Sequence, residues 1–193
     1  MNTVTGQELK VQNAVSRNAV DMTVKIGICS TFQVQCVHEP FPGSEGHVFG
    51  RMCIRFADDV LGDFDEPACM LDVTARYFDD ALKNLVNHSE PEFSALTDMQ
   101  VWERLDYAIY EDDNRTNEQV AYDASRYYRF DFLTNGGESF DNTKSFFVAN
   151  SHEVRILFQN ADHSLIGKTV ERNVFVKTLQ IWLQWFNHEL AYR

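Results

Sequence analysis

Five carboxylates fall within nine residues, at Asp58, Asp59, Asp63, Asp65 and Glu66, with only Val60, Leu61, Gly62 and Phe64 between them. Carboxylates so gathered do one of three things: they ligate a hard cation, share a proton as acid and base, or meet a basic surface. A calcium loop needs a longer series of oxygen ligands closed by a distant bidentate glutamate, and Asp63, Asp65 and Glu66 lack that frame. A hydrolytic acid–base pair needs a nucleophile or a phosphate cradle, and the chain has neither a GxSxG turn nor a glycine loop of the phosphate-binding kind. The histidines, His38, His47, His88, His152, His163 and His188, form no HExxH, no HxH and no pair at helical i, i+4 spacing. Cys29, Cys36, Cys53 and Cys69 form no CxxC pair and are expected as reduced, mostly buried thiols. Neither catalytic residues, a metal nor a cofactor is therefore expected. The acids are left as a solvated hairpin tip or as a surface built to meet a basic partner.

The same acids end the clearest strand in the chain. Over residues 47–57, Phe49, Met52, Ile54 and Phe56 supply β-branched and aromatic side chains. From Met52 onward the run alternates, with Arg51, Arg55 and Asp58 on polar positions, the period of a half-buried strand. Before it, Val24, Ile26, Ile28, Phe32, Val34 and Cys36 predict a first strand ending near His38, and Pro40, Pro42, Gly43 and Gly46 predict a turn-rich connection. Val60 and Leu61 predict a short third strand. After Pro67 the period changes: Leu71, Ala75, Phe78, Leu82, Leu85 and Val86 share a helical stripe, predicting a helix over 69–88. A second helix is expected over 98–110, capped by Thr97 or Asp98, with Trp102, Leu105 and Ile109 inward.

Residues 111–119 are polar throughout and predict a loop, whose Glu111, Asp112 and Asp113 make a second negative patch. Strands follow at Tyr127–Phe132, where Tyr128, Phe130 and Phe132 alternate, and at Ser145–Ala149 and Glu153–Gln159, the last two joined by a tight turn at Asn150 and Ser151. A final helix over 169–190 carries Val170, Val174, Leu179, Trp182, Leu183, Phe186 and Leu190 on one stripe. The fold class is therefore α+β: a mainly antiparallel sheet of five to six strands packed against two or three helices, in the order strands, helices, strands, helix. Residues 1–21 show no core pattern and are set apart as an N-terminal extension, leaving residues 22–193 as a single domain.

With 44% apolar and 13% aromatic residues the chain is expected to fold despite its net charge of −12. The imbalance is local. Residues 1–38 hold two acids and three bases, residues 39–113 hold eighteen acids and five bases, and residues 114–193 hold nine of each. Such a field disfavours nucleic acid and anionic membrane as partners and steers a cationic protein toward contact. No run of about 18 apolar residues predicts a membrane span, and the N-terminus has no apolar signal region, so a cytoplasmic protein is expected.

Several local words resemble the immunity protein 42 family. They are IGICSTFQVQCVHE, FGRMCIRFADDVLGDFDE with the helix after it, and ESFDNTKSFFVANSHEVRILFQ, which together cover about residues 22–160. The first twenty-one residues and the loop 111–119 depart from the pattern. The resemblance implies a small cytoplasmic protein that neutralises the toxin of a contact-dependent or related polymorphic toxin system by binding and does no chemistry itself. Its partner would be a cognate toxin C-terminal domain, and a nuclease toxin must be basic to hold phosphate. Interface residues do not carry over from a family that diverges where each member meets its own toxin. The candidates are therefore the acids of this chain with their neighbouring aromatics: Asp58, Asp59, Asp63, Phe64, Asp65, Glu66, Tyr110, Glu111, Asp112 and Asp113. The competing class is an acidic mimic of nucleic acid that inhibits DNA-binding proteins; an enzyme is the third.

Overall fold

The computed structural model describes residues 23–39, 46–111, 114–159 and 162–191. The N-terminal extension, Pro40, Pro42, Gly43, Asp112 and Asp113 lie outside the described residues. The architecture is α+β, with two antiparallel sheets and the order strands, helices, strands, helix.

The first sheet runs β1 (Val24–Ile28), β2 (Phe32–His38), β3 (Phe49–Phe56), β4 (Asp59–Leu61), with β5 (Cys69–Met70) also on β3. The single strand expected over residues 24–38 is a hairpin. Its turn is closed by Thr31 N donating to Ile28 O at 3.0 Å. The register pairs Val24 with Cys36, Ile26 with Val34 and Ile28 with Phe32, so these six apolar residues keep one face across the turn. An unbroken alternation and a turn at Cys29–Thr31 are therefore compatible.

Helix α1 (Leu71–Lys83) is shorter than expected: the chain tightens into a 3-10 turn at Leu85–Asn87, and Val86, placed on the apolar stripe, is 72% exposed. Helix α2 (Asp98–Tyr110) has the expected bounds and is capped by Thr97. The Thr97 hydroxyl accepts from Gln100 N at 3.3 Å while Gln100 Oε1 accepts from Thr97 N at 2.9 Å. The same reciprocal cap at Thr116 and Gln119 starts α3 (Asn117–Tyr127). The expected loop over 111–119 thus ends in a helix, and the strand expected over 127–132 is the end of α3 followed by a 3-10 turn at Tyr128–Phe130. Only Asp131 bridges to a strand, opposite Phe146.

The second sheet is β6 (Ser145–Ala149), β7 (Glu153–Gln159) and β8 (Leu165–Glu171), in that order. Asn150 closes the β6–β7 turn, its side-chain oxygen accepting from His152 N and Glu153 N at 2.8 and 2.9 Å. β8 was not expected. Val170, placed on the final helix, is a strand residue opposite Val154, and α4 (Arg172–Ala191) begins directly after it.

The larger core lies between the sheets. Phe32, Ile54 and Phe56 of the first sheet meet Ile156 and Phe158 of the second, with α1 and α4 closing the sides. Phe56 stacks on Phe158 at 5.5 Å, Phe32 lies 5.2 Å from Phe175 of α4, and Phe78 of α1 meets Trp182 edge-on at 5.0 Å. The outer face of the second sheet, Phe146 and Leu157, packs against Val101, Trp102 and Leu105 of α2 and Tyr127 of α3. Burial on both faces explains why SFFVA and VRILF are nearly continuous apolar runs.

Candidate functional site

The acidic segment is positioned by the way β3 is paired. β2 occupies one edge of β3, while β4 pairs with Ile54–Phe56 and β5 with Phe49–Gly50 along the other. The chain between β4 and β5, residues 62–68, must therefore leave the sheet opposite the middle of β3 and return to it. Asp63, Phe64, Asp65 and Glu66 all lie on this excursion.

Its shape is fixed by contacts within the fold. Gly62 takes φ +89°, and a Cβ there would stand 2.6 Å from the buried Phe140 ring. Asp63 N donates to Ser139 O at 2.7 Å, and Asp63 Oδ1 accepts from Asp65 N at 2.9 Å. Phe64 is half-buried beneath the Arg51 guanidinium, 5.8 Å from its ring centre, and Arg51 Nε donates to Glu39 at 2.8 Å. The β3–β4 turn is the two-residue loop Ala57–Asp58, with Ala57 at φ 52° and its N–H donating to Cys29 O at 2.8 Å.

The carboxylates differ in what they face. Asp59 is half-buried and meets Lys168 Nζ of β8 at 2.5 Å. Asp58, Asp63 and Asp65 are exposed, Glu66 is half-buried, and among the described residues none of these four has an ion-pair partner.

Tyr110 and Glu111 divide in the same way. Tyr110 turns inward: its hydroxyl donates to Asp131 Oδ1 at 2.7 Å, and Lys144 Nζ lies 4.7 Å over its ring while pairing with Asp106 at 2.5 Å. Burial pushes both the Tyr110 hydroxyl and the Asp131 carboxyl above their ordinary pKa values. Glu111 is exposed and lines a groove of about 450 Å³ with Met99, Glu103, Tyr107 and Leu165. The two acidic segments thus flank β8 from opposite faces: Asp59 is held by Lys168, and Glu111 shares the groove with Leu165, about 10 Å back along the strand. The groove wall was not predicted, although Met99, Glu103 and Tyr107 recur at every fourth residue beside the buried stripe of α2.

Several of the remaining reactive side chains are engaged in structure. His88 is buried, stacks on Phe147 at 4.0 Å, and its Nδ1–H donates to Asn84 O at 2.8 Å; burial lowers its pKa. His38 pairs with Glu189 at 2.7 Å. All four thiols are free; Cys36, Cys53 and Cys69 are buried, and burial pushes the Cys53 thiol up to about 11 despite nearby Arg55. Among the described residues no three histidine, cysteine or carboxylate side chains are grouped to hold a metal, and no helix is long and apolar enough to cross a membrane.

The structure superposes on a crystal structure described as CdiI from Burkholderia dolosa AUO158 with a TM-score of 0.60, at 11% identity, covering 82% of this chain and 97% of that one. At such identity the likeness is one of fold. No curated protein is significantly similar in sequence. The family model described as immunity protein 42 matches residues 22–185, which take in both sheets and all but the end of α4. The chain belongs to the immunity protein 42 family.

Proposed function

We propose that this chain is the immunity protein of a contact-dependent growth inhibition system, and that residues 22–193 act as one unit in the cytoplasm. It binds one cognate toxin C-terminal domain, a basic nuclease, and neutralises it stoichiometrically by covering the active site or the surface that holds substrate. It performs no reaction. The observation that carries this reading is the braced excursion of residues 62–66. It holds Asp63, Asp65 and Glu66 outside the sheet with no ion-pair partner among the described residues, on a loop tied to Ser139 and packed at Gly62 against Phe140. Like charges held together without partners disfavour the free protein and favour a complex that supplies lysine and arginine. A fixed loop also loses little conformational freedom on binding.

Asp58, Asp63, Asp65, Glu66 and Glu111, with Asp112 and Asp113, are the residues that meet the toxin's cations, and Phe64 is the apolar contact among them. Asp59 and Tyr110 serve the same surface from behind, through Lys168 and Asp131. The test is reversal of two tip charges whose carboxylates make no contact among the described residues, Asp58→Lys with Asp65→Lys. Association with the toxin domain should slow by about tenfold or more at low salt and recover toward the wild-type rate as salt rises. An unchanged association rate removes these acids from the interface. Binding to several unrelated DNA-binding proteins, in place of one toxin, would favour a nucleic-acid mimic.

A further inference from the structure

Helix α2 needs one apolar stripe to cover the second sheet, and Val101, Trp102, Leu105 and Ala108 supply it. Met99, Glu103 and Tyr107 run beside that stripe, and Met99 and Tyr107 remain 51% and 46% exposed. They wall the groove of about 450 Å³, with Trp102 at its base. Tyr107 is held in place although it is not buried. The Arg115 guanidinium lies 4.7 Å over its ring, and that side chain is only 5% exposed, bonded to Asp123 at 3.1 Å and to Ala108 O at 3.4 Å. A large aromatic side chain fixed in advance and left in solvent is the composition of a binding anchor, because it contributes contact area with little loss of freedom.

The acidic residues of the groove are Glu103, Asp106 and Glu111, and Gln159 and His163 complete its lining. Asp106 is taken by Lys144, but among the described residues neither Glu103 nor Glu111 has an ion-pair partner. Glu111 also caps the C-terminus of α2, whose last turn holds no basic residue. Arg115 takes the Ala108 carbonyl at that end; the carbonyls without an intrahelical partner carry partial negative charge, so a carboxylate there adds to the potential a cation would meet. Apolar walls with two unneutralised carboxylates at the mouth match a lysine or arginine side chain, whose methylene stem lies on Met99 and Tyr107 and whose head reaches Glu103 and Glu111.

We infer that this groove is a docking site for a lysine- or arginine-bearing segment of the cognate toxin domain, engaged together with the residue 58–66 tip on the other side of β8. The inference rests on the proposed immunity function. Its test uses the full chain and the C-terminal toxin domain encoded immediately upstream of it. Hydroxyl-radical footprinting of the purified complex should show oxidation of Met99 and Tyr107 falling at least about threefold relative to the free chain, as expected of a desolvated anchor. Glu103→Lys with Glu111→Lys should weaken binding by about tenfold to a hundredfold while leaving the melting temperature within about 2 °C of wild type, since both side chains are exposed. A complex in which both residues oxidise as in the free chain, or a double variant binding within about twofold of wild type, overturns the groove while leaving the immunity function standing. A toxic domain that the wild-type chain does not bind overturns both.

Discussion

Lys168 Nζ stands 2.5 Å from Asp59 Oδ2, and this ion pair ties the turn of the first sheet to the edge strand of the second. It also separates two classes of carboxylate that look alike in sequence: Asp59 is neutralised within the fold, whereas Asp58 beside it is not. Both partners are about one-third exposed, so solvent screens the pair and its contribution to stability is modest. Replacing Lys168 with Met should lower unfolding stability by less than about 1 kcal/mol in urea titration. A loss of more than about 3 kcal/mol would mean that the pair behaves as a buried one and that the tip is part of the core.

The 62–68 excursion should depend on its first residue. At Gly62 the backbone is left-handed at φ +89°, and an added Cβ meets the fully buried Phe140 ring at 2.6 Å. Gly62→Ala should therefore destabilise the fold by about 1–3 kcal/mol. Ala57, at φ 52°, already bears the left-handed strain, so Ala57→Gly should stabilise by about 0.5–1 kcal/mol once glycine's extra entropy is subtracted. Urea midpoints that move in the same direction for both variants would contradict these backbone assignments.

Acid stability should carry the signature of His88. Its imidazole is buried against Phe147 and faces Asp80 of α1 and Arg129 of the 3-10 turn after α3; burial holds its pKa below the ordinary 6.5. The unfolded chain therefore binds a proton at His88 more readily than the folded one. The stability from the neutral ring is full above 6.5 and is lost as pH falls through 6.5 toward the folded value. Asp131 shifts the opposite way: its raised carboxyl pKa favours the protonated folded state, so its contribution declines as pH rises above the ordinary 3.8. His88→Gln should flatten the stability slope on the acid side of 6.5. A wild-type slope that survives the substitution assigns the pH dependence elsewhere.

The legible part of the fold was whatever a single period reports. A cap at Thr97 or Asp98 and the stripe of Trp102, Leu105 and Ile109 mark α2 at its observed ends. The β1–β2 turn was hidden because Ile28 and Phe32 face each other across it, so alternation continues as though the strand did. The Thr116–Gln119 capping box was present in the polar stretch and marks α3, but the aromatics at Tyr128, Phe130 and Phe132 imitate a strand. β8 was hidden because Gly167, Lys168 and Thr169 interrupt its apolar pattern, and only pairing with β7 makes it a strand. For the site, sequence located the acids but not their partners. That Asp59 meets Lys168 and Tyr110 meets Asp131 depends on contacts across 109 and 21 residues of chain. The exposure of Met99 and Tyr107 likewise depends on how α2 lies on its sheet.

The central claim is that this chain protects a cell from one toxin by binding it. Its most direct measurement is growth of cells expressing the C-terminal toxin domain encoded immediately upstream, with and without this chain, followed by co-purification from the surviving culture. The account predicts arrest without the chain, restored growth with it, and a one-to-one complex on purification. A domain that arrests growth equally in the presence of the chain and does not co-purify with it would contradict the account.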